Sequence, residues 1–125
     1  IPKGHAPSAV VEVGALAKAV RAVEEIWKTY RRRVEVPDVY MQGEGGRLVL
    51  RVWDSWKCLG EITVPFEVPV EFPILRLNVK LLRSIVEVLE EDGKSVEIKV
   101  WGEYEPVMFV LNSGRRMYLL MPMRS

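Results

Sequence analysis

The spacing of hydrophobic residues changes within the first thirty positions of the chain. In "SAVVEVGALAKAVRAVEEIWKTY", Val11 and Val13 flank the polar Glu12, which is the alternation of a short strand. From Gly14 onward the apolar residues recur at helical spacing, and charged residues gather on the opposite side of the helical wheel. The pattern therefore predicts a strand followed by an amphipathic helix.

Three further strands are predicted near 35–42, 47–54 and 57–65. These stretches are rich in residues that favour β-structure and are separated by turn residues. Pro37 places the first of these strands at a sheet edge or delays its start. The glycines of "GEGG" (43–46) stand between two strands and not at the start of a helix. We therefore interpret them as a hairpin turn and not as a phosphate-binding loop.

The same order of elements then begins again. "FPILRLNVKLLRSIVEVLEEDGK" alternates through Leu75 and Leu77 to Asn78, a favourable N-cap, and continues at helical spacing. Asp92 and Gly93 end this helix, and we expect Gly93 to adopt the left-handed conformation past its end. Strand-like segments "SVEIKVW", "PVMFVL" and "RMYLLMP" follow.

A β-α-β-β-β unit thus occurs twice, over about 8–65 and 73–124. A polar turn at 112–114 joins the last two strands, and Leu120 is expected to point inward. We predict an α+β fold for residues 1–125 as a single domain. Its two helices would pack on one face of a sheet that the strands form on the outside.

Composition narrows the class of protein. The 125 residues are 49% hydrophobic, which suffices for the core of one domain. Eighteen basic and 17 acidic residues leave a net charge of +1, so nucleic-acid binding would require local clustering of basic residues. No apolar run approaches the roughly 18 residues of a membrane span. A cytoplasmic protein is the expectation, and Ile1 in place of Met indicates a processed or partial chain.

The sequence shows no group of residues typical of catalysis or metal binding. We interpret His5 as a solvated loop residue and Cys58 as a buried core thiol in a strand. The carboxylates at 87 and 90–92 have the character of a solvated helix end. We therefore expect no enzyme, no cofactor and no metal. A third possibility is a small-molecule-binding or catalytic α+β domain, which would require a concave polar site.

The predicted helices carry a sparse basic surface, which we call the helix face. Its basic residues are Lys18, Arg21 and Lys28 on the first helix and Lys80 and Arg83 on the second. If both helices lie on the same side of the sheet, these residues would bind the phosphate backbone of a nucleic acid weakly and without sequence specificity. Acidic neighbours at 25 and 87 dilute this surface, and an ordinary solvated helix face fits the pattern equally well.

Several segments resemble one protein family. "LRLNVKLLRSIVEVLEEDGKSVEIKV", "EPVMFVL" and "YLLMPMRS" resemble the last domain of the bacterial DNA polymerase III β subunits, the sliding clamps. The opening "IPKG" resembles the linker that enters the third domain of that family. The resemblance implies a duplicated β-α-β-β-β domain in a three-domain subunit. Two such subunits form a ring dimer that encircles duplex DNA as a processivity factor.

The resemblance also implies a binding pocket at the C-terminus. Clamp partners, among them the DNA polymerase III catalytic subunit, the clamp loader and repair proteins, dock a motif in which Gln is followed by Leu and Phe. The matching pocket residues are Asn78, Leu81, Tyr104, Pro106, Leu119, Met121, Pro122, Met123 and Arg124. Methionines suit a pocket that receives varied apolar side chains, and we expect 121–124 to be its exposed floor and rim. Strand alternation would instead direct some of these residues into the core.

A ring joint is implied as well, at Ile26, Trp27, Lys57 and Glu61. The sequence departs from the family pattern at two pocket positions, where Leu81 replaces a tyrosine and Ser125 replaces the final leucine. An alternative is a stand-alone clamp-like regulator that captures clamp-binding motifs without encircling DNA.

Overall fold

The computed structural model describes residues 7–30, 37–111 and 116–124. The segment "IPKG", His5, the predicted turn at 112–114 and Ser125 lie outside the described residues. The elements follow one another as β1 (Ser8–Glu12), α1 (Val13–Tyr30), β2 (Asp38–Glu44), β3 (Arg47–Asp54), β4 (Lys57–Pro65), β5 (Phe72–Asn78), α2 (Val79–Asp92), β6 (Ser95–Lys99), β7 (Val107–Leu111) and β8 (Arg116–Leu120).

The predicted α+β class and the repeated β-α-β-β-β order are confirmed, but the strands form two sheets where one outer sheet was expected. One sheet has the strand order β1-β6-β7-β8, the other has the order β4-β3-β2-β5, and the pairs are antiparallel. The first strand of each repeat therefore pairs with the second strand of the other repeat. Each sheet is therefore built from strands of both halves of the chain.

Backbone hydrogen bonds at the two helix starts show the internal symmetry. The N–H of Val13, the first residue of α1, donates to the carbonyl of Lys94 over 2.8 Å. The N–H of Val79, the first residue of α2, donates to the carbonyl of Pro37 over 2.7 Å. Each bond satisfies an N–H that has no partner within its own helix. Val13, predicted as a strand residue, thus begins the helix.

The ends of the two repeats are fixed by a second matched pair of bonds. After β4 the N–H of Glu67 donates to the carbonyl of Val10 on β1 over 3.1 Å. After β8 the N–H of Met123 donates to the carbonyl of Arg76 on β5 over 2.7 Å. In both repeats the chain beyond the last strand crosses to the other sheet. The C-terminal tail, residues 121–124, is therefore held against β5.

The core lies between the helices and the inner faces of the sheets. The helices pack on each other, and α1 also packs on β3 and β4. Their buried side chains include Leu16, Val20, Val23, Leu82, Val86 and Leu89, at the spacing that the sequence predicted. Leu120 is buried as expected.

The start and the end of α2 differ in how well the sequence predicted them. The side-chain oxygen of Asn78 accepts the N–H groups of Lys80 and Leu81 at 3.0 and 3.1 Å, which confirms the N-cap. Gly93, however, has φ −130° and ψ 149°, so the expected left-handed conformation is wrong. Space is the constraint there, because a Cβ on Gly93 would lie 2.4 Å from Cδ2 of the buried Leu111.

The β2–β3 and β3–β4 hairpins show one success and one error. The turn at 43–46 is confirmed, with positive φ at Gly45 and Gly46. The expectation that Cys58 is buried is wrong, because its side chain is exposed. β4 is an edge strand, and its register against β3 shifts between Val52 and Trp53. Such a bulge interrupts the regular alternation on which the expectation of burial depended.

Candidate functional site

A shallow cavity opens where β2 and β5 meet the C-terminal tail. It has a volume of about 190 Å³. Its walls are formed by Tyr40, Ile74, Arg76, Glu103, Tyr104 and Met123. Sequence analysis predicted only Tyr104 and Met123 among these, so four wall residues were missed.

The wall residues Ile74 and Arg76 follow from strand alternation. They lie on the face of β5 opposite to Leu75 and Leu77, which are buried. Tyr40 pairs with Arg76 in the neighbouring strand β2, so the two side chains stand side by side. The alternation of apolar residues in β5 could have predicted that Ile74 and Arg76 point outward. The position of Tyr40 beside Arg76 depends on the pairing of β5 with β2, a strand of the other repeat.

Arg76 fixes the C-terminal tail to the sheet. Its Nε donates to Oδ2 of Asp38 over 2.7 Å, and Asp38 is only 2% exposed. Its Nη1 donates to the carbonyl oxygen of Arg124 over 2.9 Å. Its own carbonyl accepts the N–H of Met123. A buried carboxylate thus orients a guanidinium that in turn holds the tail at the mouth of the cavity.

The Arg124 side chain lies over an aromatic ring at the cavity. Its guanidinium carbon is 5.5 Å from the ring centroid of Tyr104, within the range of a cation–π contact. Three of the predicted pocket residues, Tyr104, Met123 and Arg124, are therefore brought together.

Three other predicted pocket residues are exposed apolar side chains. Leu119 and Met121 are 56% and 55% exposed, and Leu81 in the first turn of α2 is 53% exposed. Large apolar side chains that are this exposed are candidates for contact with a partner. Asn78 and Pro106 are partly buried, and the side-chain oxygen of Asn78 is used by the helix cap.

Two observations modify the expected pocket. Pro122 is buried, so the expectation that it belongs to an exposed rim is wrong. Met117, which was not predicted, is 56% exposed and shares one face of the edge strand β8 with the exposed Leu119. The exposed Met121 follows just past the end of β8.

The helix face is balanced in charge and not basic. Its two helices contain five basic and six acidic residues. Arg21 on α1 pairs with Glu90 on α2, and this hydrogen bond raises the pKa of the Arg21 guanidinium above its ordinary value. Lys80 Nζ lies 5.7 Å from the centroid of the Trp27 ring. Lys18 forms no ion pair within the described part of the chain.

A second group of charges on the helix face surrounds a buried carboxylate. Glu24 is only 4% exposed. Its Oε1 lies 3.1 Å from Arg83 Nε and 3.8 Å from Lys28 Nζ. Arg83 also pairs with Glu87 at 3.3 Å. Both basic residues are therefore engaged by acidic groups of the same helix face.

The residues predicted for a ring joint lie near the edge strand β4. Ile26 packs against Gly60, where a Cβ would approach its Cδ1 to 2.6 Å. Trp27 is partly buried and Lys57 is exposed. Glu61 is paired with Arg51 on β3 at 2.7 Å, and this hydrogen bond raises the pKa of the Arg51 guanidinium. The acidic group of the predicted joint is therefore already paired within its own sheet, by an arginine that also pairs with Glu44 at 3.3 Å.

No helix in the described ranges is long and apolar enough to cross a membrane. Among residues 7–30, 37–111 and 116–124, His, Cys, Asp and Glu do not cluster into a group that could hold a metal ion.

Comparison with known proteins gives a consistent result at the level of the fold. Neither the models of protein families nor the curated protein sequences match the chain. Among solved structures, the β sliding clamp of Caulobacter crescentus matches with a TM-score of 0.79 at 22% identity, over 100% of this chain and 32% of that one. The β chain of DNA polymerase III from Streptococcus pneumoniae matches with a TM-score of 0.79 at 16% identity, over 100% and 32%.

The β subunit of DNA polymerase III from Thermotoga maritima matches with a TM-score of 0.74 at 18% identity, over 100% of this chain and 32% of that chain. The chain thus spans about a third of the length of the clamps that it matches. The two helices, the two four-stranded sheets and the matches over the full chain agree with one another. The chain has the fold of one domain of the bacterial DNA polymerase III β sliding clamp.

Proposed function

We propose that the chain is one domain, the third, of a sliding clamp that acts in DNA replication and docks the motifs of its partners at the C-terminal tail. The proposal rests mainly on the tail itself. Arg76 holds Met123 and Arg124 in place on a sliding-clamp fold, and the exposed Met121 and Leu119 lie just before this anchor in the chain. An immobilised apolar surface loses little conformational entropy when a peptide binds to it.

The proposed occupant is a short peptide with Gln followed by Leu and Phe. Its apolar side chains would contact Leu81, Leu119 and Met121, whose side chains are each about half exposed. Methionine adapts its shape to different apolar groups, which suits a site that serves the polymerase III catalytic subunit, the clamp loader and repair proteins. The cavity at Tyr104 and Met123 would accept a further side chain of the peptide.

The ring is the second part of the proposal. β4 and β8 are edge strands, and their unpaired backbone groups can extend a sheet into a neighbouring domain or subunit. Ile26, Trp27, Lys57 and Glu61 lie at or near β4, where we place the joint between subunits. Closure around duplex DNA would direct the helix face to the phosphates without contacts to the bases. Such a protein retains a polymerase topologically and needs no catalytic residue.

Peptide binding tests the proposed pocket. Binding of a labelled peptide that contains Gln-Leu-x-Leu-Phe is measured by fluorescence anisotropy for the wild type, Met121→Ala and Met117→Ala. We expect Met121→Ala to weaken binding about tenfold, as for a central contact residue. Met117→Ala removes an equally exposed methionine, on β8, and should change the affinity by less than about twofold. Equal losses for the two variants would contradict the pocket.

A stand-alone regulator that captures such motifs without encircling DNA is a second candidate. The charge balance of the helix face favours it, since six acidic residues against five basic ones give little attraction for DNA. The mass of the native gene product separates the two candidates. A protein about three times as long as this chain supports the clamp, and one of about this length supports the regulator.

A further inference from the structure

The two arginines of the helix face are held in different ways. Arg21 pairs with Glu90, and their side chains are 48% and 34% exposed. Arg83 lies 3.1 Å from Glu24, whose side chain is 5% exposed. Glu24 Oε2 is buried and makes no hydrogen bond within the described part of the chain. One pair faces water, and the other contains a buried carboxylate.

This difference decides which arginine can reach a ligand. If Arg83 turned away, Glu24 would lose the nearer of its two cationic partners while remaining buried, and uncompensated buried charges are strongly unfavourable. Arg83 therefore belongs to the packing of the helices. The exposed pair of Arg21 with Glu90 is weakly held, because water and salt screen it. Its guanidinium can exchange one anion for another at little cost.

We propose that Glu90 competes with phosphate for Arg21 and thereby sets the affinity of the helix face for polyanions. At rest the helix face offers Lys18 and Lys80 outside ion pairs, and Arg21 only after Glu90 is displaced. The inference rests on the proposed function, in which the polyanion is duplex DNA. A ring that must slide gains from such competition, since the contact of Arg21 with a phosphate can be broken by Glu90 close by.

Glu91 supplies a matched control for Glu90. It is the next residue on α2, is exposed, and forms no ion pair among the residues that the structure describes. Glu90→Gln and Glu91→Gln change the net charge equally, but only Glu90→Gln releases Arg21. Any difference between the two variants therefore reports the local competition and not the overall charge.

The experiment measures binding of the chain to a short labelled duplex and to heparin over a range of salt concentrations. When Arg21 is released from its ion pair, it can form one additional phosphate contact. One such contact steepens the slope of the logarithm of the binding constant against the logarithm of the salt concentration by about 0.9. Between about 50 and 200 mM salt, Glu90→Gln should lose roughly threefold more affinity than Glu91→Gln, starting from tighter binding at low salt. It should also elute from heparin at higher salt.

The double variant Arg21→Gln/Glu90→Gln removes the released cation and should return to the behaviour of the wild type or bind more weakly. Equal results for Glu90→Gln and Glu91→Gln would overturn the proposal, and so would a gain that persists in the double variant. An absence of binding to both polyanions by every variant at the lowest salt would also overturn it. Thermal unfolding confirms that each variant is folded.

The outcome is separate from that of the proposed function. Heparin binding requires neither a ring nor a partner motif, so the difference between Glu90→Gln and Glu91→Gln can appear even if the peptide fails to bind. Conversely, the peptide can bind at Met121 while the two glutamate variants behave alike. The first result would reject the clamp pocket, and the second would reject the role of Glu90.

Discussion

The guanidinium of Arg76 donates a hydrogen bond of 2.9 Å to the carbonyl oxygen of Arg124. This bond joins the middle of the chain to its C-terminal tail, 48 positions later. It depends on Asp38, a buried carboxylate that orients the same guanidinium from the adjacent strand. The tail is therefore part of the folded sheet layer, and its exposed side chains are presented in a fixed geometry.

Removing Arg76 should both destabilise the domain and release the tail. Arg76→Ala leaves the buried Asp38 without this partner, which should lower the free energy of unfolding by about 1–3 kcal/mol. Arg47→Ala removes an exposed arginine from β3 and should change it by less than about 0.5 kcal/mol. Urea denaturation measures both. A loss for Arg76→Ala no larger than that for Arg47→Ala would show that Arg76 does not stabilise the tail.

Two substitutions of Asn78 test its role as the N-cap of α2. Asn78→Ala removes the acceptor of two backbone N–H groups and should cost about 1 kcal/mol. Asn78→Asp keeps an acceptor at the helix start and should be nearly neutral. Thermal unfolding compares the two. If Asn78→Asp is as unstable as Asn78→Ala, the side chain has a structural role beyond the cap.

A pair of substitutions tests why position 93 is glycine. Gly93→Ala should destabilise the domain by about 1–3 kcal/mol, because the added methyl group overlaps Leu111. In a Leu111→Val background the side chain is shorter, and the cost of Gly93→Ala should fall. A cost that is the same in both backgrounds would point to backbone strain in place of crowding. Chemical denaturation of the wild type, the two single variants and the double variant gives the free energies of unfolding for this double-mutant cycle.

Cys58 provides a chemical test of the edge strand. An exposed thiol should react with Ellman's reagent in the native protein without denaturant. If β4 forms the proposed joint, the reaction should slow at protein concentrations where the chain self-associates. A thiol that reacts only after unfolding would contradict the position of Cys58.

Strand alternation and turn residues predicted the local structure well. β3 and β4 begin and end at the predicted residues, because the glycines of the 43–46 turn and the alternation on either side leave little choice of register. Two of the errors concern Cys58 and Gly93. Their environments depend on a bulge and on a side chain from a distant strand, which local periodicity does not contain.

The cavity could be predicted only in part. The resemblance indicated Tyr104 and Met123, and Met123 belongs to the tail itself. Tyr40 and Arg76 reach the same cavity through pairing between strands of different repeats, so no short stretch of sequence relates them to the tail. The charge balance of the helix face was only partly foreseen, since the pairing of Arg21 with Glu90 depends on how the two helices pack.

Mapping of the peptide by NMR tests the central claim most directly. The chain, isotopically labelled, is titrated with the peptide that contains Gln-Leu-x-Leu-Phe. We expect saturable shifts centred on Tyr104, Met121 and Met123, with little change at Lys18 on the helix face. Saturable shifts that are centred on the helix face, or that leave the tail unchanged, would contradict docking at the tail.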